Sequence, residues 1–278
     1  MSAPDSRLTL ARPDLAAIGL EGIVRAARYA QTQARSCAAP AAAIRRGPNA
    51  DTEQLDQLLF GEAFDVLEAT DGWAWGQARR DGYVGFVQAE QLGPLAPAPT
   101  HWVSAVRAYA FAQPNIKSRI VALYSINALV SVVEREDRFA RCAGTGWFVE
   151  RQLTPIGHDE PDPATVAERL VGAAYQWGGR ESVGLDCSGL VQQALLACGW
   201  SFPRDTDLQA AKGEPIEREA LRRGDLVFWR GHVGMMQDET RLIHANAHHM
   251  AVTIEPLATA IERIGKTETG QPIGFRRM

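Results

Sequence analysis

A multidomain chain is predicted, two small β-barrels followed by an α+β domain, and three observations predict it. Between Ser36 and Pro97 short apolar alternations are broken by Gly and Asp, the texture of a small barrel. A second β-rich stretch runs from Thr100 to about Val149, beyond the proline-rich linker Gly93-Pro-Leu-Ala-Pro-Ala-Pro99. From Pro163 onward, helix-period segments alternate with strand clusters. The boundaries read as a lead-in over 1–35, barrels over 36–98 and 99–152, and a final domain over 153–278.

In the lead-in, Leu15, Ile18, Val24, Ala27 and Tyr29 fall at mixed helical spacing, which predicts a short helix, or else an extended lead-in, packed on the body. The first barrel is assembled from Gln57-Leu-Leu-Phe-Gly-Glu-Ala-Phe-Asp-Val-Leu67, Trp73-Ala-Trp-Gly-Gln77 and Asp81-Gly-Tyr-Val-Gly-Phe-Val87. Asp71-Gly and Asp81-Gly have hairpin-turn composition, because both residue types tolerate positive φ. In the second barrel Val103 to Phe111 and Ala128 to Val133 are the strand candidates, with a turn at Gly144-Thr-Gly146 before Trp147. A polar connector over 152–162 leads to a helix with Asp162 as cap and Pro163 at its first position, its apolar face being Val166, Leu170, Val171 and Ala174. A second helix follows Cys187, a turn or helix spans Leu208 to Ala211, and strands cluster between Asp225 and Ile254.

The composition excludes several classes of function. The net charge of −4 and the lack of any arginine-rich run argue against a nucleic-acid partner. No apolar run approaches a membrane span, and the first fourteen residues lack the basic and apolar regions of a secretory signal. Cys37, Cys142, Cys187 and Cys198 are scattered without metal-type spacing, so a reducing, cytoplasmic compartment is expected.

Chemistry concentrates around Cys187. The run Tyr175-Gln-Trp-Gly-Gly-Arg-Glu-Ser-Val-Gly-Leu-Asp-Cys-Ser-Gly-Leu190 is a glycine-rich loop that delivers Cys187 to a helix start, with Leu190, Val191, Ala194 and Leu195 at helical spacing behind it. Free N–H groups and the helix dipole in that first turn favour a thiolate. The polar neighbours Asp186 and Ser188 do not suit a merely packed thiol, whereas the three remaining cysteines read as packed thiols. Downstream, Gly231-His-Val-Gly-Met-Met236 puts His232 at the head of a strand, where a neutral imidazole can take the Cys187 proton. His244 in Leu242-Ile-His-Ala245 lies twelve residues on, a hairpin spacing that sets the two rings side by side and lets His244 orient His232. A metal cluster of His244, His248 and His249 needs a helix that the apolar alternation around Ile243 contradicts. Asp186 also suits a helix cap, and Trp177 is the one tryptophan expected near the site.

The motifs YQWGGRESVGLDCSGLVQ, RRGDLVFW, GHVGMM and LIHA, in this order and spacing, resemble the NlpC/p60 family of papain-like cysteine peptidases over about 163–278. The pattern LLFGE, F-x-VLE, GWAWGQ and DGYVGFV resembles bacterial SH3-like domains over about sixty residues. The resemblance implies two SH3-like barrels followed by a papain-like catalytic domain. It implies Cys187 as nucleophile, His232 as base, His244 as the orienting residue and Tyr175 as part of the oxyanion site.

This combination looks like the branch of the family that recycles murein peptides, γ-D-glutamyl-L-diamino acid endopeptidases acting on peptides with a free N-terminal L-Ala. The implied ammonium pocket draws on carboxylates and a tyrosine. Asp186 and Ser188 match its catalytic-domain part, Tyr83 is the candidate tyrosine, and Glu53, ahead of Asp56 and Glu62, is the candidate acid of the first barrel. No metal or organic cofactor is expected. The rival readings are an exported wall-remodelling endopeptidase anchored by its SH3-like domains, a non-catalytic peptidoglycan-binding scaffold, and an acyltransferase on a related architecture. Intact Cys187, His232 and His244 disfavour the scaffold, and no apolar acyl slot is visible for the acyltransferase.

Overall fold

The computed structural model describes residues 4–278. Its backbone forms two compact units, the first ending at Ile156 and the second running from Gly157 to Met278. No helix among the described residues is long and apolar enough to cross a membrane.

The lead-in takes the extended of its two expected forms. In place of an α-helix it forms the short parallel strands β1 (Ala16–Ala17) and β2 (Tyr29–Ala30), with a single 3-10 turn at Ile18–Leu20. Gly22 at φ 80° ends any helical path, and Leu10 and Leu15 are buried in a cluster with Trp75 and Val84. Packing on the barrel decides this segment over its helical spacing.

Seven strands make the first barrel: β3 (Gln33–Cys37), β4 (Ala41–Arg45), β5 (Gln54–Leu59), β6 (Ala63–Thr70), β7 (Trp73–Ala78), β8 (Val84–Gln88) and β9 (Leu92–Pro94). They pair in the order β5-β4-β8-β7-β6-β3-β9 around Ile44, Leu58, Phe64, Val66 and Val87. Asp71 and Gly72, at φ 51° and 80°, make the two-residue turn between β6 and β7, as their composition predicts.

A second β-unit follows, formed by β10 (His101–Val103), β11 (Arg107–Phe111), β12 (Ile120–Ser125), β13 (Leu129–Val130), β14 (Val132–Glu136), β15 (Phe139–Cys142), β16 (Gly146–Val149) and β17 (Leu153–Pro155). These give one sheet β12-β11-β16-β15-β14 and a smaller one β13-β10-β17 over a core that includes Val103, Ala108, Tyr124 and Phe148. The two barrels are joined: Leu129 N–H donates to the Phe60 carbonyl, and the Phe60 ring meets Tyr124 edge-on at 5.2 Å. Gly61, at φ 80°, lies so close to the Leu129 carbonyl that a side chain there would collide with it.

The C-terminal unit opens with α1 (Pro163–Arg169), where Asp162 caps the helix by accepting from the Ala164 N–H and Pro163 takes the first position. The helix stops earlier than its apolar spacing suggests, because Gly172 turns the chain at φ 87°; Val171 is left exposed and Ala174 enters a strand. Then come β18 (Ala174–Tyr175), β19 (Arg180–Glu181), β20 (Gly184–Leu185), α2 (Cys187–Ala197), α3 (Thr206–Ala210), β21 (Glu214–Pro215), β22 (Leu226–Trp229), β23 (His232–Met236), β24 (Arg241–Asn246), β25 (Ala251–Pro256), α4 (Leu257–Gly265) and β26 (Gly274–Arg277). One sheet collects the strands in the order β19-β20-β18-β25-β24-β23-β22-β26-β21.

α2 is buried along almost its whole length, the polar Ser188, Gln192 and Gln193 included, and packs on β23 and β24, so it shows no single apolar face. α4 places Leu257, Ala260 and Ile264 in a cluster with Val227, Trp229, Met236 and Leu242. Each fully buried aliphatic side chain there contributes roughly 1.5–3 kcal/mol.

The start of α2 is held against the loop before it by glycine contacts. A Cβ on Gly189 would run into the Gly179 carbonyl, and one on Gly179 into the Gly184 carbonyl. These backbone approaches explain why glycines stand at both places in the Cys187 motif. Gly189→Ala should therefore cost about 1–3 kcal/mol of stability, as overpacking does, measured as a lower urea midpoint at unchanged slope.

Candidate active site

Three adjacent strands and one helix start converge on the site. Cys187 is the first residue of α2, with Asp186 as the cap. Its Sγ lies 4.0 Å from the Gly231 carbonyl oxygen, and the Val233 backbone N–H points at the thiol. Those two residues flank His232, so the head of β23 runs directly past the sulfur. His232 Nε2 lies 2.9 Å from His244 Nδ1. His244, fully buried in β24, has its Nε2 2.7 Å from Glu255 Oε1 of β25, and Glu255 also pairs with Arg263 of α4.

The sheet register produces this line of side chains. His244 is paired with Thr253, which places Glu255 two residues along on the same face. Continuing the Met235–Ile243 pairing places Gly234 opposite His244 and His232 two residues back on that face. A side chain at Gly234 would come within 2.8 Å of Leu242 Cδ1, so a larger residue there would have to displace that buried leucine. The buried Trp229, cross-strand from His232, packs on the imidazole with ring centroids 5.5 Å apart.

Electrostatics in the site run against one expectation from the sequence. Burial, and next the Asp186 carboxylate, push the Cys187 thiol up to about 12, outweighing the Val233 N–H and the Arg204 charge. Burial, then His244 and Arg263, push His232 down to about 3. Burial thus favours the neutral thiol and the neutral imidazole, opposing the thiolate that the helix start alone favours. Burial also lowers His244, against the pull of Glu255. Glu255 is raised by burial but brought down to about 2 by His244 and Arg263, so it is ionised. Tyr175 in β18 is shifted upward by burial and by Cys187 and Asp186, which keeps its phenol protonated as a donor.

Asp186 and Ser188 are tied into the turn around Cys187. Asp186 Oδ1 accepts from the Gly189 N–H at 2.7 Å, from Ser188 Oγ at 3.2 Å and from Arg204 at 3.0 Å. Its Oδ2 accepts from the Gly178 N–H at 2.8 Å and from Arg204 at 2.6 Å. Ser188 Oγ in turn accepts from Arg204 at 2.8 Å. These two residues build the turn that presents Cys187, with Asp186 in the capping role expected of it. Arg204 is the residue that sequence reading missed; it follows Pro203 in a loop with no periodicity to mark it.

Trp177 is exposed on the loop beside Gly178, adjoining the anchored turn. In the N-terminal unit Tyr83 is buried, and Glu53 forms a half-exposed pair with Arg46 at 2.7 Å. Asp56 and Glu62 are buried, Glu62 being paired with Arg80 and accepting from the Leu59 N–H. His248 and His249 meet edge-on at 4.7 Å, and among the described residues no three His, Cys, Asp or Glu side chains are placed so that they could hold a metal ion.

The NlpC/P60 family model matches residues 172–263, which span Tyr175, Cys187, His232 and His244. A model of the bacterial dipeptidyl-peptidase SH3 domain matches residues 44–92. Dipeptidyl-peptidase 6 of Lysinibacillus sphaericus is 32% identical over 258 residues, 78% of this chain and 93% of that protein. The chain belongs to the NlpC/P60 family. A Bacillus cereus protein named gamma-D-glutamyl-L-lysine dipeptidyl-peptidase is 31% identical over 73% of this chain and 70% of its own length. Its Bacillus subtilis namesake is 25% identical over 78% and 80%. The crystal structure of a Bacillus cereus NlpC/P60 protein shares the fold, with a TM-score of 0.75 at 19% identity, covering 88% of this chain and 99% of that one. The protein is accordingly a cysteine peptidase with an SH3-type N-terminal domain and a papain-like NlpC/P60 domain.

Two measurements check the site. With the thiol raised and the imidazole lowered, alkylation of Cys187 by iodoacetamide should accelerate steadily as pH rises through 9, with none of the acid-side plateau of a preformed ion pair. Arg204→Met leaves the buried Asp186 charge without its partner and should cost about 3–5 kcal/mol, seen as a large drop in the thermal midpoint.

Proposed function

We propose that this peptidase hydrolyses the γ-D-glutamyl-L-diamino acid bond of murein peptides that carry a free N-terminal L-Ala, in cytoplasmic cell-wall recycling. The observation that carries the reading is the line Cys187, His232, His244 in a chain matching, over 70% and 80% of their lengths, two proteins named for the γ-D-glutamyl-L-lysine bond.

In this mechanism the Cys187 thiol transfers its proton to the free Nδ1 of His232 as the sulfur attacks the γ-carbonyl carbon, so the thiolate forms only with substrate in place. The Cys187 backbone N–H, which has no intrahelical partner at the first helical position, and the Tyr175 hydroxyl donate to the developing oxyanion. His232 then returns its proton to the departing amine, leaving a thioester on Cys187. Water, deprotonated by His232, hydrolyses the thioester and releases L-Ala-D-Glu.

Asp186 and Ser188, held in place by Arg204, are our candidates for reading the free ammonium, and Tyr83 and Glu53 are the candidates from the first barrel. The experiment is a cleavage assay on L-Ala-γ-D-Glu-diaminopimelate beside its N-acetylated form and beside Cys187→Ala protein. Release of L-Ala-D-Glu from the free peptide alone, lost in the mutant, is expected. Tyr83→Phe and Glu53→Gln should narrow the preference by raising KM for the free peptide. Equal cleavage of both forms, or release of peptide from intact sacculi at a comparable rate, would reject the recycling reading in favour of wall remodelling.

A further inference from the structure

We propose that Glu255 is a fourth member of the catalytic line, a positioning residue that sets the proton on both histidines and so leaves Nδ1 of His232 free to act as the base. The inference rests on the cysteine-peptidase reading above. It adds a residue that no sequence motif marks.

The argument is one of donors and acceptors. Glu255 is paired with Arg263, so its carboxylate is ionised and can only accept. The 2.7 Å contact with His244 therefore requires the proton of His244 on Nε2. A neutral imidazole has one N–H, so Nδ1 of His244 is then an acceptor. The 2.9 Å contact to His232 consequently requires the proton of His232 on its own Nε2, leaving Nδ1 as a lone pair. One carboxylate thus fixes two tautomers in series.

When Cys187 gives up its proton, it goes to His232 Nδ1, and the resulting imidazolium keeps donating through Nε2 to neutral His244; no further proton moves. Without the Glu255 carboxylate, His244 can carry its proton on Nδ1 and donate it to His232, which would then hold its own proton on the nitrogen that must accept. The charged and titratable neighbours are few: Arg263 and His249 face His244, and Arg263 also faces His232, while Asp186, Arg204 and Tyr175 surround Cys187. None of these presents another acceptor to His244 Nε2 in place of Glu255.

An amide at 255 keeps the shape but can turn either its oxygen or its NH2 toward His244. Loss of the wrong-tautomer lock directly beside a catalytic histidine costs about 10⁴ in kcat. One ring further away, a loss of about tenfold to a hundredfold in kcat at nearly constant KM is expected for Glu255→Gln, with partial recovery in Glu255→Asp.

The deciding readout is independent of peptide cleavage. Nitrogen-15 histidine NMR of the wild-type protein at neutral pH should show His232 and His244 both protonated on Nε2 alone, and Glu255→Gln should show a mixture of tautomers. A wild-type His232 protonated on Nδ1 would overturn the proposal even if no variant folds. A fall in kcat with unchanged tautomers, or unchanged kcat in a folded Glu255→Gln protein, would overturn it as well. If the wild-type protein fails to cleave murein peptides, the substrate reading falls, while the histidine spectrum still decides the role of Glu255.

Discussion

Asp186 receives hydrogen bonds from three separate pieces of the C-terminal unit: the loop at Gly178, the first turn of α2 through Ser188 and Gly189, and Arg204 beyond that helix. Each tie is modest alone, but a buried carboxylate cannot stay ionised unless its lone pairs are filled and its charge is matched. The arrangement is thus cooperative. It seats Cys187 at a fixed point beside the head of β23, and the glycine contacts between α2 and the preceding loop allow the backbones to come close enough for it to form.

From that fixed point the rest of the site is built by sheet register. β23, β24 and β25 run side by side, and the pleat turns His232, His244 and Glu255 to one face in a diagonal. A shift of one residue in either pairing would send one of the three to the opposite face. The hydrogen-bonded line is therefore as rigid as the sheet itself, and Arg263 from α4 closes its far end. Polarity falls from the ion pair at one end to the thiol at the other, where burial favours the neutral form of both reacting groups.

The N-terminal unit follows a different physical plan. Its barrels are built from hairpins whose turns need positive φ, as at Asp71 and Gly72, and they join through a backbone contact that only Gly61 permits. The lead-in, helical by its spacing, surrenders that preference because burying Leu10 and Leu15 beside Trp75 yields more than a short exposed helix could.

The sequence by itself determined the local chemistry: the turn residues of the first barrel, the Asp162 cap, the helix start at Cys187, and the strand positions of His232 and His244. Each of these rests on neighbours within a few residues, or on a period that the chain displays in one dimension. Tertiary structure decided what no period encodes. Arg204 and Glu255 are ordinary charged residues in sequence, and only the folded chain brings them to Asp186 and His244. The state of the thiol was likewise out of reach, since the dipole that favours a thiolate is local to the helix while the burial that opposes it comes from strands more than forty residues away.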